Sequence, residues 1–294
     1  KYINFQPVGV SGIAFNALEE PFSDIRVREA FCHLWDVEKL MDKLFFNEYV
    51  RKKSYYPRSK YEHPDNPVQD YNPDYALKLL NDAGWIKKNG DTWLTNDKGE
   101  IFEIEEFHIY QGWDRILNYF VQDLENIGIK VNLVVIQNPF EMAMNRKFEI
   151  YNGGWTGSLL PSPEGMMHSK FSEKLDVTNI TGMANPEIDR LIEDYNLNWS
   201  MDERVNILQQ IDSIATREFH WAFGWGAPYG YRSLNWNKFG IPDNGVGYSG
   251  GWLAPISMWW IDPEKKEKLN NALNDDSVVL PIENEIVDFW NNLK

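Results

Sequence analysis

The stretch KVNLVVIQNPFEMAMNRKFEIYNGGW, residues 130–155, decides the fold class of this sequence. Its apolar and β-branched residues predict one strand from Lys130 to Ile136 and another from Phe148 to Trp155. Between these strands, Pro139 begins a short helix that is predicted to end at Arg146. Strands that alternate with helices in this way indicate an α/β domain built on a mixed sheet.

The segments before residue 130 continue this alternation. Ile25 begins a helix, because Asp24 can cap its free N–H groups and apolar residues recur after it at helical spacing. The pair Asn72-Pro73 marks another helix start, and Gly84 marks the end of that helix. The other predicted elements are a strand Gly12–Glu19, a helix Val37–Phe46, a long loop over 47–70, a hairpin over 91–109 that turns at Asn96–Gly99, and a helix Asp114–Asn126 that ends at Gly128.

After residue 155 the pattern is first helical and then aromatic. Asn185-Pro186 predicts a helix start, and Ser200 with Glu203 predicts a capping box for the long helix that follows. Residues 219–262 are rich in Trp, Gly, Tyr and Pro, which indicates short strands and loops. A final acidic helix is predicted from Pro281 to Leu293.

Composition excludes several classes of protein. The 294 residues carry a formal charge of −15, which argues against nucleic acid as the main partner because phosphate binding needs a basic face. No stretch approaches the roughly 20 apolar residues that cross a bilayer. Cys32 is the only cysteine, which excludes an intrachain disulfide and a cysteine-rich zinc site. The chain begins at Lys1 without a methionine or a signal peptide, so we expect a processed protein or part of a longer one.

Motifs for catalysis and metal binding are weak. Gly247–Gly251 (GYSGG) matches a serine nucleophile elbow, but the Trp-Leu-Ala-Pro run after it is a poor helix start, which favours a Gly-rich loop. The 5 histidines are scattered and form no His-x-x-x-His pair. Glu103 and Glu105 share one face of a predicted strand and are interpreted as solvated. We therefore predict no catalytic residue, no metal site and no cofactor.

A basic cluster interrupts the acidic chain within the loop 47–70. Its members are Arg51, Lys52, Lys53, Arg58 and Lys60. Among the tyrosines of the same loop, these cations would create a local positive field. The alternative interpretation is an ordinary solvated loop.

The strongest local pattern is Gly153-Gly154-Trp155-Thr156-Gly157-Ser158, at the carboxyl end of a predicted buried strand. Ligands of open α/β sheets bind at such strand ends. The glycines allow close approach of the backbone, Trp155 offers a stacking surface, and Thr156 and Ser158 offer hydrogen bonds. The alternative is a tryptophan packed in the core beside a tight turn, and the local sequence does not separate the two.

Short motifs follow one another in a characteristic order. They are Phe15-Asn16, Asp24–Ala30 (DIRVREA), Tyr71–Ala76 (YNPDYA), Ala83-Gly84-Trp85, Leu124–Ile129 (LENIGI), Gly154-Trp155 and Asn185–Asp189 (NPEID). This order, within residues 12–262, resembles the family 5 extracellular solute-binding proteins, which deliver peptides and other solutes to ABC importers. Further stretches resemble the oligopeptide and microcin C-type subgroup, namely Phe22–Ala30, Ser54–Pro57, Ser158–Pro161 and Trp259–Asp262.

The resemblance implies an α/β fold of the type II periplasmic-binding kind, in which two lobes close on the ligand. It also implies an N-terminal half that this sequence lacks. On this basis we expect residues 1–11 to end the crossover from the missing N-terminal lobe and residues 12–220 to form the second α/β lobe. Residues 221–294 are then expected to return to the first lobe and end in the C-terminal helix.

The resemblance further implies non-covalent capture of peptides or peptide-like solutes, and their delivery to ABC permease subunits by a monomeric periplasmic or extracellular protein. The expected ligand-binding residues are Gly154, Trp155, Thr156, Gly157 and Ser158, with Tyr110 and Trp113 as further wall residues. Ser158 stands where peptide-binding relatives often carry an aspartate for the ligand's amino terminus, and Glu164 is a nearby replacement. A carbohydrate-binding or glycoside-hydrolysing protein is the alternative, because acidic, Trp-rich chains suit sugar stacking.

Overall fold

A computed structural model describes residues 1–5, 7–242 and 258–288. The chain divides into two compact units. The larger unit comprises Gly9–Thr156 and Leu160–Gly226, and the smaller comprises Lys1–Val8, Gly157–Leu159 and Ala227–Lys294. The assignment of residues 1–11, 12–220 and 221–294 to lobes of a longer protein stays a prediction.

The elements follow the chain in an α/β order. The strands are β1 (Tyr2–Asn4), β2 (Ser11–Phe15), β3 (Val50–Arg51), β4 (Glu103–Ile109), β5 (Lys130–Val135), β6 (Ile150–Gly154), β7 (Trp221–Phe223), β8 (Trp225–Gly226), β9 (Tyr231–Ser233), β10 (Phe239–Gly240), β11 (Trp260–Ile261) and β12 (Glu285–Val287). The helices are α1 (Ile25–Leu34), α2 (Val37–Phe45), α3 (Pro73–Asp82), α4 (Asp114–Ile127), α5 (Pro139–Met144), α6 (Glu164–Met167), a 3₁₀ turn (Ser169–Phe171), α7 (Pro186–Leu197), α8 (Met201–Arg217) and α9 (Pro263–Asn274).

The larger unit is built on a five-stranded sheet in the order β5-β4-β6-β2-β7. β4 is parallel to both β5 and β6, whereas β2 is antiparallel to β6 and β7. Within this sheet, β4, β5, β6 and β7 therefore run in one direction, and β2 runs in the opposite direction. This arrangement confirms the predicted mixed α/β sheet.

Both faces of this sheet are buried, because successive side chains of each strand point to opposite sides. Ile13 and Phe15 enter one core, with α1, α3 and α4, while Ala14 between them enters the other core, with α7 and α8. In β6, Ile150 likewise enters the first of these cores and Tyr151 enters the second. The sheet is consequently the middle layer of an α/β/α sandwich.

Local signals placed the helix starts correctly. Asp24 accepts a hydrogen bond from the Arg26 backbone at 2.9 Å, and Asn72 accepts one from the Tyr75 backbone at 3.1 Å. Gly128 ends α4 with a φ of 107°, a left-handed conformation that glycine adopts without steric cost. Among the described residues, no helix combines the length and apolar character that a membrane crossing requires.

The predicted capping box at Ser200 is wrong. The hydroxyl of Ser200 makes no capping hydrogen bond, although α8 does begin directly after it. The Ser200 N–H, which the box would give to Glu203, donates instead to Asn198 Oδ1 at 2.9 Å. The preceding turn therefore satisfies this donor in place of the Glu203 carboxylate.

The predicted helix from Pro281 to Leu293 is also wrong over its described part. Residues 285–287 form β12, which pairs in parallel register with β1. Val287 is buried with Tyr2 in a small core, so pairing of β-branched residues outweighs the acidic composition that suggested a helix.

The strand predicted over Gly12–Glu19 ends at Phe15, because Asn16 Oδ1 accepts from Leu18 N at 3.4 Å and turns the chain.

Candidate functional site

One edge of the five-stranded sheet collects the carboxyl ends of β4, β6 and β7 and the amino end of β2. Ser11 lies opposite Gly154, and Gly12 lies opposite Phe223. A cavity of about 360 Å³ lies at this edge. Its aromatic lining residues are Trp35, Tyr110, Trp113, Phe140, Tyr151 and Trp225, and the others are Ser11, Gly12, Asn152, Gly153, Gly154 and Gly224. Its position is the one at which α/β sheets bind ligands.

Trp225 is the centre of the aromatic wall. Its ring centroid lies 5.7 Å from that of Trp35 and 6.0 Å from that of Trp113. Phe45 packs against Trp225 at 5.0 Å and closes the outer side of this cluster. These separations fall in the range of favourable aromatic pairs, so the wall is held by its own packing.

Chain segments that are distant in sequence bring these rings together. Trp35 directly follows α1, and Trp113 directly precedes α4. Trp225 lies in β8, whose pairing with β3 fixes it opposite Arg51. The cavity is thus a product of the tertiary fold.

A tyrosine pair covers Gly153 on the floor of the cavity. The hydroxyls of Tyr110 and Tyr151 are 3.3 Å apart and share a hydrogen bond. A Cβ atom added to Gly153 would stand 2.2 Å from both Cζ and Oη of Tyr151. Gly153 is therefore the residue that lets the Tyr151 ring lie over its own strand. Burial raises the pKa of Tyr151, so its hydroxyl stays protonated and able to donate.

We expect Gly153→Ala to destabilise the protein by about 2 kcal/mol, because the Tyr151 ring must leave its position and the tyrosine pair breaks. Urea unfolding measures the change. In a Tyr151→Ala background the ring is absent, and the added methyl should then cost far less. An equal cost in both backgrounds would contradict this explanation of Gly153.

A buried lysine lies directly behind the cavity wall. Lys52 is 8% exposed, and its Nζ donates to Gly9 O at 2.8 Å and to Ser11 Oγ at 2.7 Å. Its backbone N–H donates to Gly224 O at 2.9 Å, so two lining residues hold it in place. In the described part of the chain no carboxylate forms an ion pair with it, and burial lowers its pKa to about 8.

The structure places the predicted site residues in different surroundings. Gly154, Tyr110 and Trp113 line the cavity. Trp155 is half-buried, its ring meets Phe140 edge-on at 5.4 Å, and its backbone N–H donates to Val10 O at 2.8 Å. It packs against the core that contains α7 and α8.

Three predicted residues follow Trp155 along the chain. Thr156 is exposed and is the last residue of the segment Gly9–Thr156 of the larger unit. Gly157 and Ser158 belong to the smaller unit. The ligand-binding roles of all seven predicted residues stay predictions.

Four of the six aromatic lining residues are not among the predicted site residues, namely Trp35, Phe140, Tyr151 and Trp225. Trp35 and Phe140 stand next to the ends of predicted helices, which is the signal that could have pointed to them. Only the sheet order shows that these ends meet.

Other candidate groups have local partners. Glu164 pairs with Lys170 and accepts from Asn196 Nδ2 at 3.2 Å, and Glu103 pairs with Lys130 at 2.6 Å. In the basic cluster, Arg51 pairs with Glu38 and Lys53 lies 3.7 Å from Glu62. These pairs favour an ordered loop over a free positive field.

Within the described residues, no group of His, Cys, Asp and Glu side chains is arranged to hold a metal ion. The GYSGG stretch, residues 247–251, lies outside the described residues.

The fold is that of an α/β protein, and the cavity lies where such sheets bind ligands. The model for bacterial extracellular solute-binding proteins, family 5 (middle region), matches residues 1–175, which is more than half of the chain. The chain therefore belongs to the family 5 bacterial extracellular solute-binding proteins, as the motif order indicated.

Two curated relatives illustrate the distance within this family. YejA of Escherichia coli is 26% identical over 297 residues, a match covering 88% of this chain and 48% of YejA. The oligopeptide-binding protein AppA of Bacillus subtilis is 25% identical over 266 residues, covering 85% of this chain and 46% of AppA. The chain thus spans about half the length of the curated relatives it matches.

Solved structures share the fold at low sequence identity. AppA of Bacillus subtilis in complex with a nonapeptide has a TM-score of 0.70 at 21% identity, covering 88% of this chain and 53% of that one. A mannohexaose-bound oligopeptide-binding protein of Thermotoga maritima has a TM-score of 0.71 at 18% identity, with the same coverages of 88% and 53%. The predicted fold, that of the periplasmic peptide-binding proteins, is confirmed.

Proposed function

We propose that the protein is part of the substrate-binding component of an ABC importer, and that it captures peptides or peptide-like solutes without covalent chemistry. The observation that carries this proposal is the aromatic cavity at the carboxyl edge of the sheet. Family membership supports it, and the relative AppA is named for oligopeptide binding. A cavity of this kind binds by burial and by a few directed hydrogen bonds, which suits reversible capture.

The cavity lining also supports a binding role over a catalytic one. A glycoside hydrolase needs two carboxyl groups about 5–10 Å apart at the scissile bond. No aspartate or glutamate is among the described residues that line the cavity. We therefore propose that the protein is not an enzyme, and incubation with chromogenic glycosides should release no product.

The proposal extends to partners and location. Delivery of a captured solute requires permease subunits at the membrane, so we propose that the protein acts outside the cytoplasm, as a monomer. Ligand-dependent stimulation of the ATPase of a reconstituted cognate transporter tests this step. Absence of stimulation by any bound peptide would contradict a role in import.

Titration calorimetry against a peptide library tests the proposed capture. We expect Trp113→Ala to weaken binding at least tenfold, because it removes one ring from the cavity wall and truncation of a buried aromatic contact commonly costs more than about 1.4 kcal/mol. Trp155→Ala is the companion variant, since its ring packs on Phe140. Unchanged affinity in the Trp155 variant would remove Trp155 from the site, and failure of every peptide to bind the native protein would overturn the proposal.

A further inference from the structure

The cavity has an unusual chemical character, because its wall is aromatic and none of the described residues that line it is charged. Trp35, Trp113 and Trp225 form one continuous surface, and Tyr110 lines the cavity with them. We propose, on the basis of the function proposed above, that this cavity is a side-chain pocket that selects an uncharged aromatic side chain of the ligand.

The size of the cavity fits one side chain. Whole ligands of drug-like size occupy pockets of about 300–1,000 Å³, and this cavity of about 360 Å³ is at the lower end of that range. An aromatic side chain offers about 150–250 Å² of surface to bury. A cavity of this volume has room for one aromatic side chain.

A wall of aromatic rings has a second possible occupant, a cationic side chain, because ring faces attract positive charge. An acidic side chain would balance that charge, and the lining has no aspartate or glutamate among the residues that the structure describes. The ammonium of Lys52 lies behind the lining, 2.7 Å from Ser11 Oγ. Its positive charge lies in a poorly solvated position and repels a cation in the cavity.

The polar groups of the lining are neutral. The Tyr110 and Tyr151 hydroxyls bond to each other at 3.3 Å, and the Asn152 amide donates to Gly12 O at 3.3 Å. Such groups can exchange hydrogen bonds with an indole N–H or a phenol O–H. They offer no counter-ion for a lysine or arginine side chain, which would lose its water without replacement.

Calorimetry with four pentapeptides, Ala-Ala-X-Ala-Ala with free termini and X as Trp, Phe, Ala or Lys, tests the inference on the native protein. We expect the Trp and Phe peptides to bind about 10- to 100-fold more tightly than the Ala peptide, from burial of one aromatic side chain. The Lys peptide should bind no more tightly than the Ala peptide. A Lys peptide that equals or exceeds the Phe peptide would overturn the inference.

Two variants locate the preference in this cavity. Trp113→Ala should lower the Phe-to-Ala affinity ratio, whereas Trp199→Ala, which alters a tryptophan that is 89% exposed, should leave the ratio unchanged. Lys52→Met should raise the Lys-to-Ala ratio, because the repelling charge is gone. An unchanged Phe-to-Ala ratio in the Trp113 variant would place the selectivity elsewhere and overturn the inference.

The outcomes separate the two proposals. If none of the peptides binds the native protein, peptide capture itself fails and the selectivity falls with it. If the four peptides bind with equal affinity, peptide capture stands and the aromatic preference alone is overturned. Circular dichroism melting of each variant shows that a changed ratio does not come from unfolding.

Discussion

Replacement of Asp212 by alanine is expected to lower the free energy of unfolding by about 4 kcal/mol, the largest single loss we predict outside the apolar core. Asp212 is fully buried on α8 and accepts hydrogen bonds from one segment of the loop 47–70. The donors are Ser54 Oγ at 2.9 Å, Tyr55 N at 2.9 Å, His63 N at 2.9 Å and Asn66 Nδ2 at 2.6 Å. One carboxylate thus joins four points of a long loop to a helix.

The size of this loss follows from what the substitution leaves behind. Alanine removes the acceptor but leaves the four donors in place, and each unsatisfied buried donor costs about 1–3 kcal/mol. Entry of water and movement of the loop recover part of this cost, so the donors do not add in full. Lys52 lies in the same loop, so we expect Asp212→Ala to weaken the hydrogen bonds that Lys52 makes as well.

Urea unfolding of the Asp212→Ala variant measures the loss, and Asp194→Ala is the matched control. Asp194 pairs with Arg190 at 2.8 Å on the exposed side of α7, and such a surface pair contributes about 0.5 kcal/mol or less. We expect a much larger loss of unfolding free energy in Asp212→Ala than in Asp194→Ala, although both substitutions replace aspartate by alanine. Equal small losses in both would contradict the anchoring role of Asp212.

The sequence predicted those parts of the fold that depend on neighbouring residues. Asp24 and Asn72 cap helices with their own side chains, and the glycine at 128 ends α4, so each boundary follows from a few consecutive residues. The capping box predicted at Ser200 also involves only a few consecutive residues. There, Asn198 Oδ1 accepts the hydrogen bond from the Ser200 N–H that the box assigned to Glu203. Local patterns name the groups that can bond, and the competition among them is settled only in three dimensions.

The interior polar groups could not be predicted in this way. Asp212 has the sequence context of an ordinary helical aspartate, and Lys52 that of a solvated loop lysine. Their partners lie far away in the chain, at Ser54 and Asn66 for Asp212 and at Gly9 and Ser11 for Lys52. Burial of these groups depends on the order of strands in the sheet, which periodicity does not contain.

Some features of the candidate site depend on neighbouring residues, and others depend on residues far apart in the chain. The sequence located its edge, because the carboxyl end of a strand is where α/β sheets bind ligands, and Gly154 is there. It offered Trp155 as a stacking residue; the ring of Trp155 packs on the lining residue Phe140, and its role in binding stays a prediction. Trp225 forms the wall because β7 and β8 end beside β2, and that contact joins residues about two hundred positions apart.

Acidification is expected to reduce the stability of the protein steeply through one residue, His220. Its side chain is 4% exposed, and its Nδ1 has no hydrogen-bond partner within the part of the chain that the structure describes. Burial, together with the charge of Arg28, lowers the pKa of His220 to about 3, although a hydrogen bond to the Thr181 backbone opposes the shift. Arg28 is itself held by Phe22 O and Glu218 O, so it cannot move away from the imidazole.

The direction of the effect follows from proton binding in the two states. An unfolded histidine binds its proton near pH 6.5, whereas folded His220 stays neutral down to about pH 3. The stability that the neutral imidazole contributes is complete above pH 6.5 and is lost as the pH falls toward 3. Between pH 7 and pH 4 this amounts to about 3 kcal/mol of the free energy of unfolding.

Urea unfolding of the native protein and of His220→Gln at pH 7 and pH 4 measures this contribution. Glutamine keeps a polar side chain but binds no proton, so the variant should lose about 3 kcal/mol less than the native protein between the two pH values. His33→Gln is the control, because it removes an imidazole of α1 whose Nδ1 donates to Asp70 O at 2.7 Å, and leaves His220 buried. If the native protein and His220→Gln lose equal stability, the acid sensitivity lies in other groups, and the buried imidazole is not its source.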